Sequence, residues 1–148
     1  MTTTAPAGHR ETMRQWSEAF NAHDAVGVAS LYAEDTLVVH PSYPEPLQGR
    51  KPVQDDTRAY MTAMPDVTSE LVRVVVDEDC VAAEMTISGV HAGPLVLATG
   101  KLPPTGRRLR LPVAFFCRFG AEGKVVEEHR YYDAAHILRQ LGDGQRLR

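Results

Sequence analysis

The feature that most limits the fold is a long block of two-residue alternation that follows the helical part of the chain. Val81, Ala83, Met85 and Ile87 alternate with Ala82, Glu84, Thr86 and Ser88. Successive side chains of a strand point to opposite faces, so this is the pattern of a half-buried strand. Residues 68–76 form another such run, with Glu70, Val72, Val74 and Val76 on one face, and Asp77, Glu78 and Asp79 make the turn between the two. Residues 91–102 read as a third strand, bent at Gly93 and Pro94, and the Pro103–Gly106 stretch has turn chemistry. Residues 108–119 and 124–133 are two more strands, joined through 120–123.

The period before this block is helical. Met13, Trp16, Ser17 and Phe20 share one helix face, and that helix ends near residues 21–23. Asp24 suits the cap of a short second helix carrying Val28, Leu31 and Tyr32. Residues 36–40 read as a short strand. Pro41, Pro44 and Pro46 then impose a loop, because proline lacks the amide that a ladder needs. Pro52 fits the first turn of a third helix running to about Ala63, with Val53, Thr57, Tyr60 and Met61 inward and Pro65 ending it. A last helix, 134–141, stops at Gly142. Helices followed by antiparallel strands define an α+β fold. The expected architecture is a cone-shaped α+β barrel. Three N-terminal helices pack on a strongly curved, mostly antiparallel sheet, and a short helix closes the C-terminus. Residues 1–8 read as a disordered lead-in, 9–142 as one domain and 143–148 as a tail.

Composition narrows the function classes. A net charge of -3, with basic residues scattered apart from Arg107, Arg108 and Arg110 beside a turn, argues against a nucleic-acid partner. No apolar stretch approaches the roughly 20 residues that a membrane helix needs. Residues 1–10 lack the apolar run of a signal peptide, and Cys80 and Cys117 are far apart with no CxxC pair, which together point to a reducing, cytoplasmic setting. The six histidines are scattered without a zinc-ligand spacing, so no metal is expected. No G-x-G-x-x-G or phosphate loop offers a nucleotide cofactor a seat, and no G-x-S-x-G elbow supports a serine nucleophile.

Five segments in order carry a resemblance: AFNAHDAVGVASLYAEDTLVVHP, PEPLQGRKPVQDDTRAYMTAMPDV, SGVHAG, LPPTGRRL and GKVVEEHRYYDAAHILRQLG. Together they resemble the SnoaL-like polyketide cyclases of the nuclear-transport-factor-2-like superfamily, over about residues 13–142. The resemblance implies a cone with a small-molecule cavity, and a homodimer that covers the outer face of the sheet. It places Arg130 where the family's cyclases carry a catalytic aspartate, Asp133 at the family's second aspartate, and Phe115 at a polar position of the preceding strand. Family members include cyclases, hydroxylases, isomerases and epoxide-opening enzymes.

Chemistry in such a cavity needs an acid/base group and a donor for developing oxygen charge. Glu128, Arg130 and Tyr132 share one face of the last strand by alternation, and Glu127, His129, Tyr131 and Asp133 share the other. The family register favours the first set inward, with Glu128 as acid/base and Arg130 and Tyr132 holding substrate oxygens. His91, in the G-x-H-x-G turn, is a second candidate proton handler. His40 and Tyr43 follow the first strand near the expected mouth. Trp16, Phe20, Tyr60, Met64 and Phe115 are candidate pocket wall. The expected function is a cofactor-free enzyme moving protons on an apolar, oxygenated, polyketide-like molecule of secondary metabolism, by cyclisation, isomerisation, dehydration or epoxide opening. The alternative is a non-catalytic binding or dimerisation module of the same fold.

Overall fold

The computed structural model describes residues 6–142. Helix α1 (Pro6–Asn21) begins earlier than expected, because Pro6 has no amide to forfeit in a first turn. Residues 6–8 therefore belong to the helix rather than to a lead-in, while 1–5 and the tail 143–148 lie outside the described residues. Helix α1 crosses the inner face of the sheet, where Met13, Trp16 and Phe20 are buried. Its end is tied to strand β3 (Thr68–Asp77) by an amide that mimics a strand partner. Asn21 Nδ2 donates to the Ser69 carbonyl at 2.9 Å, and the Ser69 N–H donates to Asn21 Oδ1 at 2.6 Å.

Helix α2 (Ala25–Ala29) is capped by Asp24, whose side chain accepts from the Gly27 N–H. It stops before Leu31 and Tyr32, which the sequence pattern assigns to it. Tyr32 instead opens strand β1 (Tyr32–Val39), because it pairs in parallel with Val125 of strand β8 (Val125–Tyr131). Within the proline-rich loop, strand β2 (Leu47–Gln48) adds a two-residue edge to β1. Helix α3 (Arg50–Ala63) follows.

The main sheet has the order β2-β1-β8-β7-β4-β3, with β4 spanning Cys80–Val90 and β7 spanning Arg108–Phe119. Its pairs are antiparallel except β1 with β8. The alternation of β4 is as expected, with Val81, Ala83, Met85 and Ile87 buried. In β3 it breaks. A bulge between Leu71 and Arg73 leaves Val72 and Arg73 both outward and brings Val74 and Val76 to the core side. The expected third strand is a separate hairpin, β5 (Leu95–Leu97) with β6 (Gly100–Leu102). Pro94 cannot donate to a ladder, and Gly100 takes φ +128, which reverses the chain. Helix α4 (Ala134–Leu141) ends at Gly142 in the left-handed region.

The inner face of this cone is closed by α1 and α3. The outer face leaves Val72, Val75, Phe116 and Tyr131 exposed, and Val75 and Phe116 line a groove of about 360 Å³ on it. That is the face through which the sequence analysis expects a second copy to dock.

The hairpin is pinned to α3 at Gly93. The Ala92 and Gly93 N–H groups both donate to the Ala63 carbonyl at 2.9 Å. A Cβ on Gly93 would lie 2.3 Å from the Thr62 carbonyl oxygen, a backbone atom that cannot swing away. Gly93→Ala is therefore expected to cost about 1–3 kcal/mol by overpacking, read as a lower urea midpoint. An unchanged midpoint would show that the hairpin is not held there.

Candidate active site

Strand alternation decides what enters the cone. On β8, Glu128 and Arg130 point inward at 0% and 5% exposure, while Tyr131 on the opposite face is 56% exposed. Helix α3 supplies the group opposite them. Val53, Asp56, Thr57 and Tyr60 lie on one stripe at helical spacing, and this stripe carries Asp56 into the interior while Asp55 stays outside.

The result is a guanidinium held between two carboxylates. Arg130 Nε donates to Glu128 Oε2 at 2.7 Å, and Arg130 Nη1 donates to Asp56 Oδ2 at 3.1 Å. The guanidinium also sits over the Phe115 ring, 4.7 Å from its centre. The other oxygen of Glu128 accepts from the Tyr32 hydroxyl, which in turn accepts from Trp16 Nε1 at 3.0 Å. The other oxygen of Asp56 accepts from the Tyr43 hydroxyl at 2.9 Å and lies 3.3 Å from His40 Nε2. His40 Nδ1 accepts the Ser42 N–H at 3.0 Å, which leaves the ring proton on Nε2, facing Asp56 and the Tyr60 hydroxyl.

The electrostatics follow from burial and from these partners. Burial opposes charge on Arg130, but Glu128 and Asp56 outweigh it and raise its pKa well above the usual value, so it stays a cation. Burial also works against ionised Asp56. The hydrogen bond from His40, then the charge of Arg130 and the Tyr43 bond, override burial and hold the Asp56 carboxyl below its ordinary 3.8. Burial, with Glu128 beside it, pushes the Tyr32 phenol up and keeps it a donor.

The two carboxylates differ in access. Both have each oxygen bound, but Glu128 lies at the closed end at 0% exposure. Asp56 lies at a small cleft lined by His40, Ser42, Tyr43, Ala59, Tyr60, Leu95 and Val96, whose free volume of about 10 Å³ is room for roughly one water. Leu95 and Val96 belong to the β5–β6 hairpin, which forms the outer wall.

A family model for the SnoaL-like domain matches residues 13–128. The chain belongs to this family. None of the curated proteins matches the sequence. Among solved structures, AclR from Streptomyces galilaeus, a proposed hydroxylase, is similar at 23% identity and a TM-score of 0.78, over 94% of this chain and 98% of that one. TsrD from Streptomyces laurentii is similar at 22% identity and a TM-score of 0.81, over 94% and 98%. IdmH from Streptomyces antibioticus, a proposed polyketide cyclase, is similar at 25% identity and a TM-score of 0.75, over 90% and 98%.

In this SnoaL-like domain the structure gathers Glu128, Arg130, Tyr132, His40, Tyr43, Trp16, Phe20, Tyr60 and Phe115 into one network of hydrogen bonds and ring contacts. It leaves two expected residues elsewhere. His91 bonds to Thr105 through Nδ1 at 3.0 Å, and its N–H donates to the Arg107 carbonyl at 2.8 Å. Glu128 pairs with Cys117, and between residues 107 and 117 lies roughly 33 Å of extended chain. His91 is a buried turn residue whose pKa burial lowers, and it does not share a site with Glu128. Met64 caps α3 and packs on Gly89 of β4, in the core. The Tyr132 hydroxyl is engaged by Ser42 and does not line the cleft. Sequence reasoning missed Asp56, Tyr32 and Ser42. For Asp56 a signal was present, namely a carboxylate on the apolar stripe of α3.

Removing the cation should be costly. Arg130→Met leaves Glu128 and Asp56 buried without it, and is expected to lose about 3–5 kcal/mol in urea unfolding. A loss within error would mean that the pair is solvated.

The lowered pKa of Asp56 also has a sign. Its folded value lies below its unfolded value, so its stabilisation is fully present above the unfolded value and is lost as pH falls through the folded one. Wild type should therefore lose stability more steeply than Asp56→Asn between about pH 5 and pH 2. Parallel curves of urea midpoint against pH would contradict the assignment.

Proposed function

We propose that this SnoaL-like domain is an enzyme that moves a proton on an apolar, oxygenated, polyketide-like small molecule, using its own side chains. The observation that carries this reading is Asp56. It is an ionised carboxylate at the cleft, oriented by Arg130 and Tyr43, with donors on His40 and Tyr60 beside it. Asp56 is the base. A carboxylate of low pKa is a weak base, suited to a carbon flanked by carbonyl or aryl groups, where the C–H is already acidic. His40 Nε2–H and the Tyr60 hydroxyl donate to the oxygen on which charge develops. Glu128, expected from sequence as the acid/base group, takes a supporting place behind Arg130, fixing the guanidinium that holds Asp56. Cyclisation, isomerisation, dehydration and epoxide opening all begin or end with such a transfer, and IdmH, as a proposed polyketide cyclase, is a compatible neighbour. Entry requires the β5–β6 hairpin to move outward, because the cleft is nearly filled.

The same small volume supports a second reading, a binding or dimerisation module with a packed interior. Deuterium uptake at the benzylic position of 2-tetralone, a bicyclic ketone, separates the two. Wild type is expected to accelerate exchange over buffer. Asp56→Asn should lower that acceleration about 100-fold, and His40→Phe about tenfold, in variants whose circular dichroism matches wild type. No acceleration by wild type, or an undiminished rate in folded Asp56→Asn, would favour the module.

A further inference from the structure

As a neutral ring, His40 can serve as a donor towards the cleft from Nε2 only while its Nδ1 carries no proton. The imidazole is amphoteric, and which nitrogen holds hydrogen is set by what the other one meets. An ionised carboxylate at 3.3 Å from Nε2 favours a proton there, and equally favours a second proton on the ring, because an imidazolium beside Asp56 would complete an ion pair. What opposes that second proton is the Ser42 N–H, a donor aimed at Nδ1 from 3.0 Å. The remaining groups around the ring are the Tyr60 hydroxyl and Asp56 on α3, Tyr43 in the loop, and Arg130 and Tyr132 from β8 and its end. Leu95 and Val96 bring no charge from the hairpin.

The Ser42 N–H is therefore the deciding group, and its position depends on a loop between Pro41 and Pro44. The loop's Ser42 hydroxyl is buried at 6% exposure and hydrogen-bonded to the Tyr132 hydroxyl. The Tyr132 ring also stands edge-on to His40, with centres 5.9 Å apart and planes at 85°. We propose that Tyr132 and Ser42 form a positioning clamp that keeps His40 neutral with its proton on Nε2, so that the imidazole donates to substrate oxygen and does not collapse into an ion pair with Asp56. This rests on the acid/base reading for its purpose, and on geometry alone for its existence. Tyr132 thus acts through Ser42 and His40, not by touching substrate as the sequence pattern suggests.

The test reads the ring directly. Long-range nitrogen–proton correlation spectra of uniformly nitrogen-15-labelled protein at neutral pH distinguish a bare ring nitrogen from a protonated one. In wild type, His40 Nδ1 is expected to appear bare and Nε2 protonated. Tyr132→Phe removes the clamp's hydroxyl and leaves the ring, and a substantial fraction of His40 should then carry a proton on Nδ1. Ser42→Ala, which keeps the backbone N–H but not the hydroxyl, should do the same, and Ser42→Thr should restore the wild-type state. Should Tyr132→Phe fail to fold, the two Ser42 variants decide. A protonated Nδ1 in wild type, or a bare Nδ1 in both folded clamp variants, overturns the proposal. Ketone exchange in the same variants is a separate readout. If the clamp holds His40 as expected but wild type does not accelerate exchange, the acid/base reading fails and the clamp stands.

Discussion

The structure turns on Arg130 and the two carboxylates that hold it. Taking a guanidinium out of water is expensive, and the cost is met here because Glu128 and Asp56 receive it from opposite sides. The bond from Arg130 to Asp56 ties the strand β8 to the helix α3. It also sets the order of events around the site. Glu128, bound by Tyr32 and backed by Trp16, fixes Arg130, and Arg130 fixes Asp56. A carboxylate held this way keeps its charge where burial alone would favour the neutral acid.

A site arranged in depth divides the work. The inner half is shielded by rings: Trp16 stacks on Phe20 at 5.1 Å and meets Phe115 edge-on at 5.2 Å. Stiff packing there keeps the charges in register. The outer half is built from a proline-rich loop and a hairpin that belongs to no larger sheet, so it has fewer bonds to break when something enters. Rigid charges beneath so thin a wall would suit the proton transfer proposed for this pocket.

Much of this was legible from residue order. The alternation on β4 named its buried side chains, and the same period on the last strand put Glu128, Arg130 and Tyr132 together. The failures have physical causes. Tyr32 continued a helical pattern, yet a parallel partner 93 residues later in sequence, Val125, took it into a strand. The β3 pattern held until a bulge after Leu71 exchanged its faces. Gly93 and Pro94 were read as a bend in one strand, although proline's missing amide and the close approach to Thr62 make them a boundary. His91 sat in a motif that suggested a cavity, but its ring is used to hold a turn.

By itself the sequence determined the helices-then-strands order, the faces of the regular strands and hence the family of folds, because backbone geometry imposes a period of 2 or 3.6 wherever the chain is regular. The tertiary structure alone decided which carboxylate reaches the cleft and which is sealed behind it. That choice depends on α3 and β8 meeting across 74 residues of chain, and on a hairpin folding over their junction. No local period encodes such an encounter. Asp56 and Glu128 look alike as letters and differ by what surrounds them.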